Sequence, residues 1–151
     1  HLHSEGKHKD ELMLQGPSTG HWVPELIAQN PQENIPYYPY MNGQFVFKHA
    51  VVRFSEVIQE GLEANNLGTE DIDMLIPHQA NLRISQFIQK KMRLPDEKVF
   101  NNIQKYGNTT AASIPIALSE AWEAGKIKDG DLVVLAAFGS GFTWGSALVR
   151  W

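Results

Sequence analysis

The chain has 151 residues, of which 42% are hydrophobic, and this is enough for one domain with a buried core. Its 13 basic and 17 acidic side chains give a net charge of -4, which offers no reason to expect a nucleic-acid partner. Cysteine is absent, which excludes disulfides, thiolate metal sites and a cysteine nucleophile and fits a reducing compartment. No apolar run approaches the roughly 18 residues of a membrane span and nothing resembles a signal peptide, so we expect a soluble, cytoplasmic protein without a membrane partner.

The first forty residues carry little periodic pattern. The chain begins with His1-Leu2-His3-Ser4, a sequence typical of the end of a strand, and does not begin with Met. We therefore expect a fragment of a longer protein. Residues 4–40 are polar and rich in Gly and Pro, which predicts a long loop with little regular structure. His1, His3 and His8 have no predicted element to hold them, so we expect no metal site.

A helical pattern begins at Gly43 and continues to about Asn66. Hydrophobic side chains recur there at intervals of three and four residues, which predicts one long helix with a single face on the core. The members of this stripe are Val46, Ala50, Phe54, Val57, Ile58 and Leu62. A turn around Gly68 then leads into a predicted strand from Ile72 to Ile76.

Two polar side chains follow at positions where active sites of α/β proteins lie. Pro77 ends the predicted strand, so His78 falls in the turn before the next helix. Asn108 comes directly after Gly107, whose backbone can turn tightly, and before an Ala-rich helix that we predict from Ile116 to Ala124. We expect both side chains to face one crevice. The alternative is structural: the histidine satisfies a strand end and the asparagine caps a helix.

The helix after His78 has two different faces. Its apolar stripe comprises Ile84, Phe87, Ile88 and Met92, and its polar stripe comprises Arg83, Gln86, Lys90 and Arg93. A basic stripe is often only a solvated face, but beside an active-site mouth in an acidic protein it also suits the docking of an acidic partner.

The last segment predicts two strands. Residues 131–138 form a continuous apolar run, as expected for a strand that is covered on both faces. Gly139-Ser140-Gly141 turns the chain, and Phe142 to Trp151 returns as the final strand. The order of helix, strand, helix, short helix, helix and strand pair predicts a layered α/β fold.

Three segments carry a resemblance to a known family. They are residues 76–81 (IPHQAN), residues 106–113 (YGNTTAAS) and residues 137–150 (AFGSGFTWGSALVR). In this order they resemble the β-ketoacyl-acyl carrier protein synthases, most closely the type III enzymes that begin fatty-acid synthesis. The resemblance extends over the whole chain but only onto the C-terminal half of such an enzyme.

The resemblance implies a fold and a reaction. The fold would be the C-terminal half of a thiolase-like layered αβαβα fold, with a mixed sheet covered by helices, and residues 1–151 would form this half-domain without the Cys-bearing N-terminal half. The reaction would be the decarboxylative condensation of an acyl-CoA with malonyl-acyl carrier protein. His78 and Asn108 would donate hydrogen bonds to the thioester oxygen. The backbone amide of Ser140, where the family has the middle of three glycines, would complete an oxyanion hole.

The resemblance also implies binding residues and partners. Gly43, Phe47, Ala80, Asn81 and Phe138 would line the tunnel for the pantetheine arm, although Phe47 also suits a core position. The basic positions matched to carrier-protein docking are Lys48, Arg83, Lys90 and Lys91. The expected partners are acyl carrier protein, acyl-CoA and the missing half, with a homodimer in the intact enzyme. The substrates carry CoA or phosphopantetheine, so no separate cofactor is expected.

Two alternatives stay open at this point. The chain could belong to a related condensing enzyme of secondary metabolism, which would share all three segments and differ in its acyl pocket. It could also be a non-catalytic half, acting as a partner subunit or a docking module. In either case we expect the chain alone to be inactive in condensation, because it has no Cys to hold the acyl group.

Overall fold

A computed structural model describes residues 1–14 and 39–151. In chain order the elements are β1 (Leu2–Ser4), a 3-10 segment (Gly6–Glu11), β2 (Leu12–Met13), β3 (Tyr40–Met41), α1 (Gly43–Ala64), a 3-10 turn (Thr69–Asp71), β4 (Met74–Pro77), α2 (Leu82–Met92), a 3-10 turn (Asp96–Lys98), α3 (Ile103–Tyr106), a 3-10 turn (Thr110–Ala112), α4 (Ser113–Glu123), β5 (Leu132–Gly139) and β6 (Thr143–Arg150). The predicted order from the long helix to the final strand pair is confirmed.

The main sheet is mixed and has the strand order β1-β6-β5-β4. Strand β4 is parallel to β5, with Pro77 opposite Ala136, whereas β5 with β6 and β6 with β1 are antiparallel. Strands β2 and β3 form a separate antiparallel pair of two residues each. The parallel pair matters most for the site, because the carboxyl ends of β4 and β5 lie at the same edge of the sheet.

Helices cover both faces of the sheet. Leu75 and Val134 belong to a buried cluster with residues of α1 and α2, whereas Met74, Ile76 and Val133 pack with Ala117 and Ala121 of α4. Neighbouring residues of β4 and β5 therefore point into different layers, as the two-residue period of a strand requires. This confirms the prediction that β5 is a strand covered on both faces.

The helix ends follow from local capping. The Asn42 side chain accepts a hydrogen bond from the Phe45 N–H at 3.4 Å and starts α1, and the Asn81 side chain accepts one from the Arg83 N–H at 2.9 Å and starts α2. Arg93 adopts a left-handed conformation at the end of α2. The predicted stripe of α1 is confirmed, since all six of its members are buried.

One expectation agrees with the structure and another needs correction. Residues 4–40 are predicted to be a long loop with little regular structure, and their described part fits this, since it contains the six-residue 3-10 segment and the two-residue strand β2, and ends at the first residue of the two-residue strand β3. The part of this loop at residues 15–38 lies outside the described residues. Phe87 was assigned to the apolar stripe of α2, yet it is 45% exposed, because it lies at the border between the apolar and basic faces. No helix within the described ranges is long and apolar enough to span a membrane.

Candidate active site

His78 and Ser140 lie at the same edge of the sheet. His78 follows the last residue of β4, and its N–H donates to the carbonyl of Ala136 in β5 at 2.8 Å. Ser140 follows Gly139, the last residue of β5, and its carbonyl accepts the Thr143 hydroxyl at 2.9 Å. The parallel pairing of β4 with β5 thus places both turns on one side of the molecule.

A cleft of about 1020 Å³ opens at this edge. Its lining includes all eight residues that the sequence assigned to catalysis, to the oxyanion backbone or to the tunnel: Gly43, Phe47, His78, Ala80, Asn81, Asn108, Phe138 and Ser140. They come from α1, from the turns after β4 and α3, and from the end of β5. Separate segments of the sequence therefore meet around one cavity.

His78 is half-buried and is held from inside the protein. Its Nδ1 lies 2.5 Å from the hydroxyl of Ser113, the first residue of α4. Burial lowers the pKa of His78 below its ordinary value, because a charged ring loses hydration there. The ring is therefore neutral at neutral pH, with one nitrogen that donates and one that accepts.

Asn108 is exposed at the mouth of the cleft, in a turn that its own side chain stabilises. Its Oδ1 accepts a hydrogen bond from the Thr110 N–H at 2.9 Å, and Gly107 before it has φ +69°, a conformation that favours glycine. The amide oxygen is thus occupied, while the Nδ2 group donates to no other residue of the described part of the chain. Asn108 lies two residues before a 3-10 turn (Thr110–Ala112) and does not cap α4 itself.

Gln79, which the sequence did not single out, ties the two turns together. This side chain is buried, and its Oε1 accepts the N–H groups of Asn102 and Ile103 at 3.1 and 3.2 Å, at the start of α3. Its Nε2 donates to the carbonyls of Pro77 at 2.7 Å and Phe100 at 3.4 Å. The only sequence signal was its place beside His78, in the segment that carries the family resemblance.

Glu120 of α4 contacts both ends of the short helix α3. Its carboxylate accepts hydrogen bonds from Lys105 at 2.8 Å, from the Tyr106 hydroxyl and from the Asn102 side chain at 2.9 Å. These donors, Lys105 first, lower the pKa of Glu120 to about 2. The segment before Asn108 is thus attached to α4 as well as to Gln79.

The four basic residues assigned to docking are exposed but are not part of the cleft lining. Lys48 follows Phe47 in α1, and Arg83 lies two residues after Asn81, so both adjoin the cleft. Phe87 contacts the edge of Phe47, with their ring centres 6.4 Å apart. Lys90 lies further along α2.

Lys91 lies in a different environment from the other basic residues. It lines a second depression together with Glu56, Glu60 and Glu63 of α1. The structure therefore does not bring Lys91 to the cleft, and its assignment to docking stays a prediction. In residues 1–14 and 39–151, no group of three or more His, Cys, Asp or Glu side chains is placed to hold a metal ion.

A family model described as "3-Oxoacyl-[acyl-carrier-protein (ACP)] synthase III C terminal" matches residues 62–151. The chain belongs to this family. A β-ketoacyl-[acyl-carrier-protein] synthase III of Rhodospirillum centenum is 47% identical over 152 residues, which cover 100% of this chain and 43% of that protein. The crystal structure of the synthase III from Aquifex aeolicus VF5 superposes with a TM-score of 0.84 at 42% sequence identity. The match covers 100% of this chain and 43% of the Aquifex chain. The crystal structure of the synthase III from Pseudomonas aeruginosa PAO1 superposes with a TM-score of 0.88 at 37% sequence identity. This match covers 100% of this chain and 44% of the Pseudomonas chain.

The synthase III relationship confirms the predicted fold class, a mixed sheet between helices that corresponds to part of the thiolase-like fold. The chain spans less than half the length of the relatives it matches. The chain therefore corresponds to a C-terminal portion of a synthase III, and it contains the cleft with His78 and Asn108.

Proposed function

We propose that this synthase III chain is a half-domain, residues 1–151, that supplies the decarboxylating groups of a condensing enzyme of fatty-acid synthesis. A Cys-bearing N-terminal half would complete the enzyme. The observation that carries the proposal is the meeting of His78 and Asn108 around one cleft, with a neutral ring at the first and, at the second, an Nδ2 group that donates to no residue within 1–14 and 39–151.

The chemistry assigns one task to both side chains. When malonyl-acyl carrier protein loses carbon dioxide, the bond to its carboxylate breaks and the electron pair moves onto the thioester, whose oxygen becomes negative. His78 and Asn108 donate N–H groups to this enolate oxygen. The enolate carbon then attacks the acyl-Cys thioester of the other half, and the Cys thiolate leaves. The backbone amide of Ser140 donates to the oxyanion that this attack creates.

The remaining residues bind and guide the substrates. Gly43, Phe47, Ala80, Asn81 and Phe138 line the path of the pantetheine arm, since all five lie on the cleft. Lys48, Arg83, Lys90 and Lys91 attract acyl carrier protein through its negative charge. The enzyme acts in the cytoplasm as a homodimer, and its Cys takes the acyl group from acyl-CoA, which releases CoA as the thiol before the condensation. A condensing enzyme of secondary metabolism is the second candidate, with the same two donors and a different acyl pocket.

The test uses the complete enzyme, meaning this chain with its Cys-bearing half, and follows carbon dioxide release from malonyl-acyl carrier protein. His78→Ala and Asn108→Ala should each reduce the rate by roughly a hundredfold or more. The double variant should fall little below the worse single one, because the donors act on one oxygen. His49→Ala, which changes a half-buried histidine outside the cleft, is the matched control.

The structural alternative gives a different result in the same experiment. If the two side chains only stabilise their turns, each variant should lose about 1 kcal/mol of stability. Carbon dioxide release from the folded protein should then stay at the wild-type rate. Melting curves of each variant separate loss of function from unfolding, and wild-type rates in both well-folded single variants would refute the proposal.

A further inference from the structure

The hydroxyl of Ser113 is placed to decide which nitrogen of His78 carries the proton. Ser113 is 2% exposed and lies at the first turn of α4, between the His78 ring and the backbone after it. Its oxygen is 2.5 Å from Nδ1 of His78 and 3.2 Å from the N–H of Gln79. The backbone N–H of Gln79 can only donate, so it occupies one lone pair of the Ser113 hydroxyl oxygen.

The hydroxyl proton then needs an acceptor. In the described part of the chain, the hydrogen bonds of the Ser113 side chain go to Gln79 and to His78 alone, and only the ring nitrogen can accept. If Nδ1 carried a proton and donated to Ser113 instead, the buried hydroxyl would have a proton without a partner, which costs free energy.

We infer that Ser113 donates its hydroxyl proton to Nδ1 of His78 and thereby holds the ring as the Nε2–H tautomer, with this N–H facing the cleft. The two nitrogens lie on opposite sides of the ring, so the contact of Nδ1 with buried Ser113 turns Nε2 toward the cavity that His78 lines. Ser113 is then a positioning residue for the donor that the proposed decarboxylation needs, and in this respect the inference rests on the proposed function.

The same bond keeps the ring neutral. A hydroxyl that donates to Nδ1 stabilises only the unprotonated nitrogen, so it acts in the same direction as the burial that lowers the pKa of His78. Glu120, an acidic residue of the same helix as Ser113, bonds to Lys105, Tyr106 and Asn102 rather than to the ring.

The direct test is nitrogen NMR of the complete enzyme with labelled histidine, which reads the protonation of each ring nitrogen without any turnover. For wild type we expect Nδ1 of His78 to be an unprotonated hydrogen-bond acceptor and Nε2 to carry the proton. A protonated Nδ1 in the neutral wild-type ring would overturn the inference. Ser113→Ala should shift the Nδ1 signal and mix the tautomers, and an unchanged signal would also overturn it, whatever the rate.

The rate gives a second readout. Ser113→Ala should lower carbon dioxide release by between about tenfold and the roughly 10⁴-fold that a wrong tautomer costs a catalytic histidine. Ser113→Thr keeps the hydroxyl and should restore both the signal and much of the rate. Ser119→Ala, which removes an exposed hydroxyl of the same helix, should change neither. If His78→Ala itself left the rate intact, the proposed function would fail, while the NMR signals would still decide the role of Ser113.

Discussion

Gln79 offers the sharpest test of how the site is held together. Gln79→Met keeps a side chain of similar length but removes the amide group. The bonds from Asn102 N–H, from Ile103 N–H and to the Pro77 carbonyl are between 2.7 and 3.2 Å and would all be lost. At about 1 kcal/mol for each bond, the loss is about 3 kcal/mol. The bond to Phe100, at 3.4 Å, is too long to add much.

Hydrogen exchange of the Asn102 and Ile103 amides measures this loss where it occurs. Since 1.36 kcal/mol corresponds to a factor of ten, about 3 kcal/mol predicts exchange that is more than a hundredfold faster in Gln79→Met. The measurement is made on the complete enzyme by mass spectrometry of a peptide that spans residues 99–106. Gln59→Met is the matched control, because the exposed side chain of Gln59 bonds only to Glu63 among the described residues.

The expected functional result follows from the same bonds. Gln79 connects the turn of His78 to the segment that leads to Asn108, so its loss should also slow carbon dioxide release in folded protein. Exchange within about tenfold of wild type at both amides would refute the reasoning, because it would mean that α3 keeps its place without Gln79. Faster exchange with an unchanged rate would limit the role of Gln79 to stability.

Three further predictions concern charge and completeness. In the complete enzyme, Arg83→Glu should lower the rate with carrier-protein substrate about tenfold or more at low salt and less at high salt, where charges are screened. The rate with acyl-CoA should stay nearly unchanged, and the control Lys126→Glu should change neither rate. The pKa of Glu120 falls from 4.5 to about 2 on folding, so this carboxylate should add stability that is complete above pH 4.5 and lost as the pH falls toward 2. Unfolding curves recorded between these pH values should show a smaller loss of stability for Glu120→Gln than for wild type. The chain alone should retain no radiolabel from acetyl-CoA, and stable protein-bound label would contradict the need for a Cys from the other half.

The elements and the cleft residues could be predicted because each leaves a local signal. The stripe of α1 has a clear helical period, and the apolar run of β5 fits a strand covered on both faces. His78 and Asn108 were found from strand and helix ends together with three matched segments. The sequence wrongly predicts Phe87 as part of the buried stripe for a physical reason. Periodicity gives the direction of a side chain around the helix, but it does not show how far the neighbouring core covers that face.

The contacts that hold the site could not be predicted in this way. Ser113 reaches His78 across 35 residues and Gln79 reaches Asn102 across 23, and neither pair leaves a pattern in the sequence between them. The sequence places Ser113 and Gln79 within matched segments but indicates no role for either side chain. Lys91 shows the same limit for surfaces, since its place beside Glu56 and Glu60 depends on how α2 packs along α1.

The hydrogen bonds of Gln79 and Ser113 suggest why a histidine and an asparagine from distant segments can act on one oxygen. The Gln79 side chain fixes the start of α3, while its backbone N–H fixes the Ser113 hydroxyl that faces the His78 ring. One residue thus contributes to the position of both donors. Because an electrostatic donor acts fully only when its position needs no adjustment during the reaction, a shared support of this kind serves both groups at once. Substitutions at Gln79 and Ser113 should therefore be non-additive in carbon dioxide release, since each removes part of the same network.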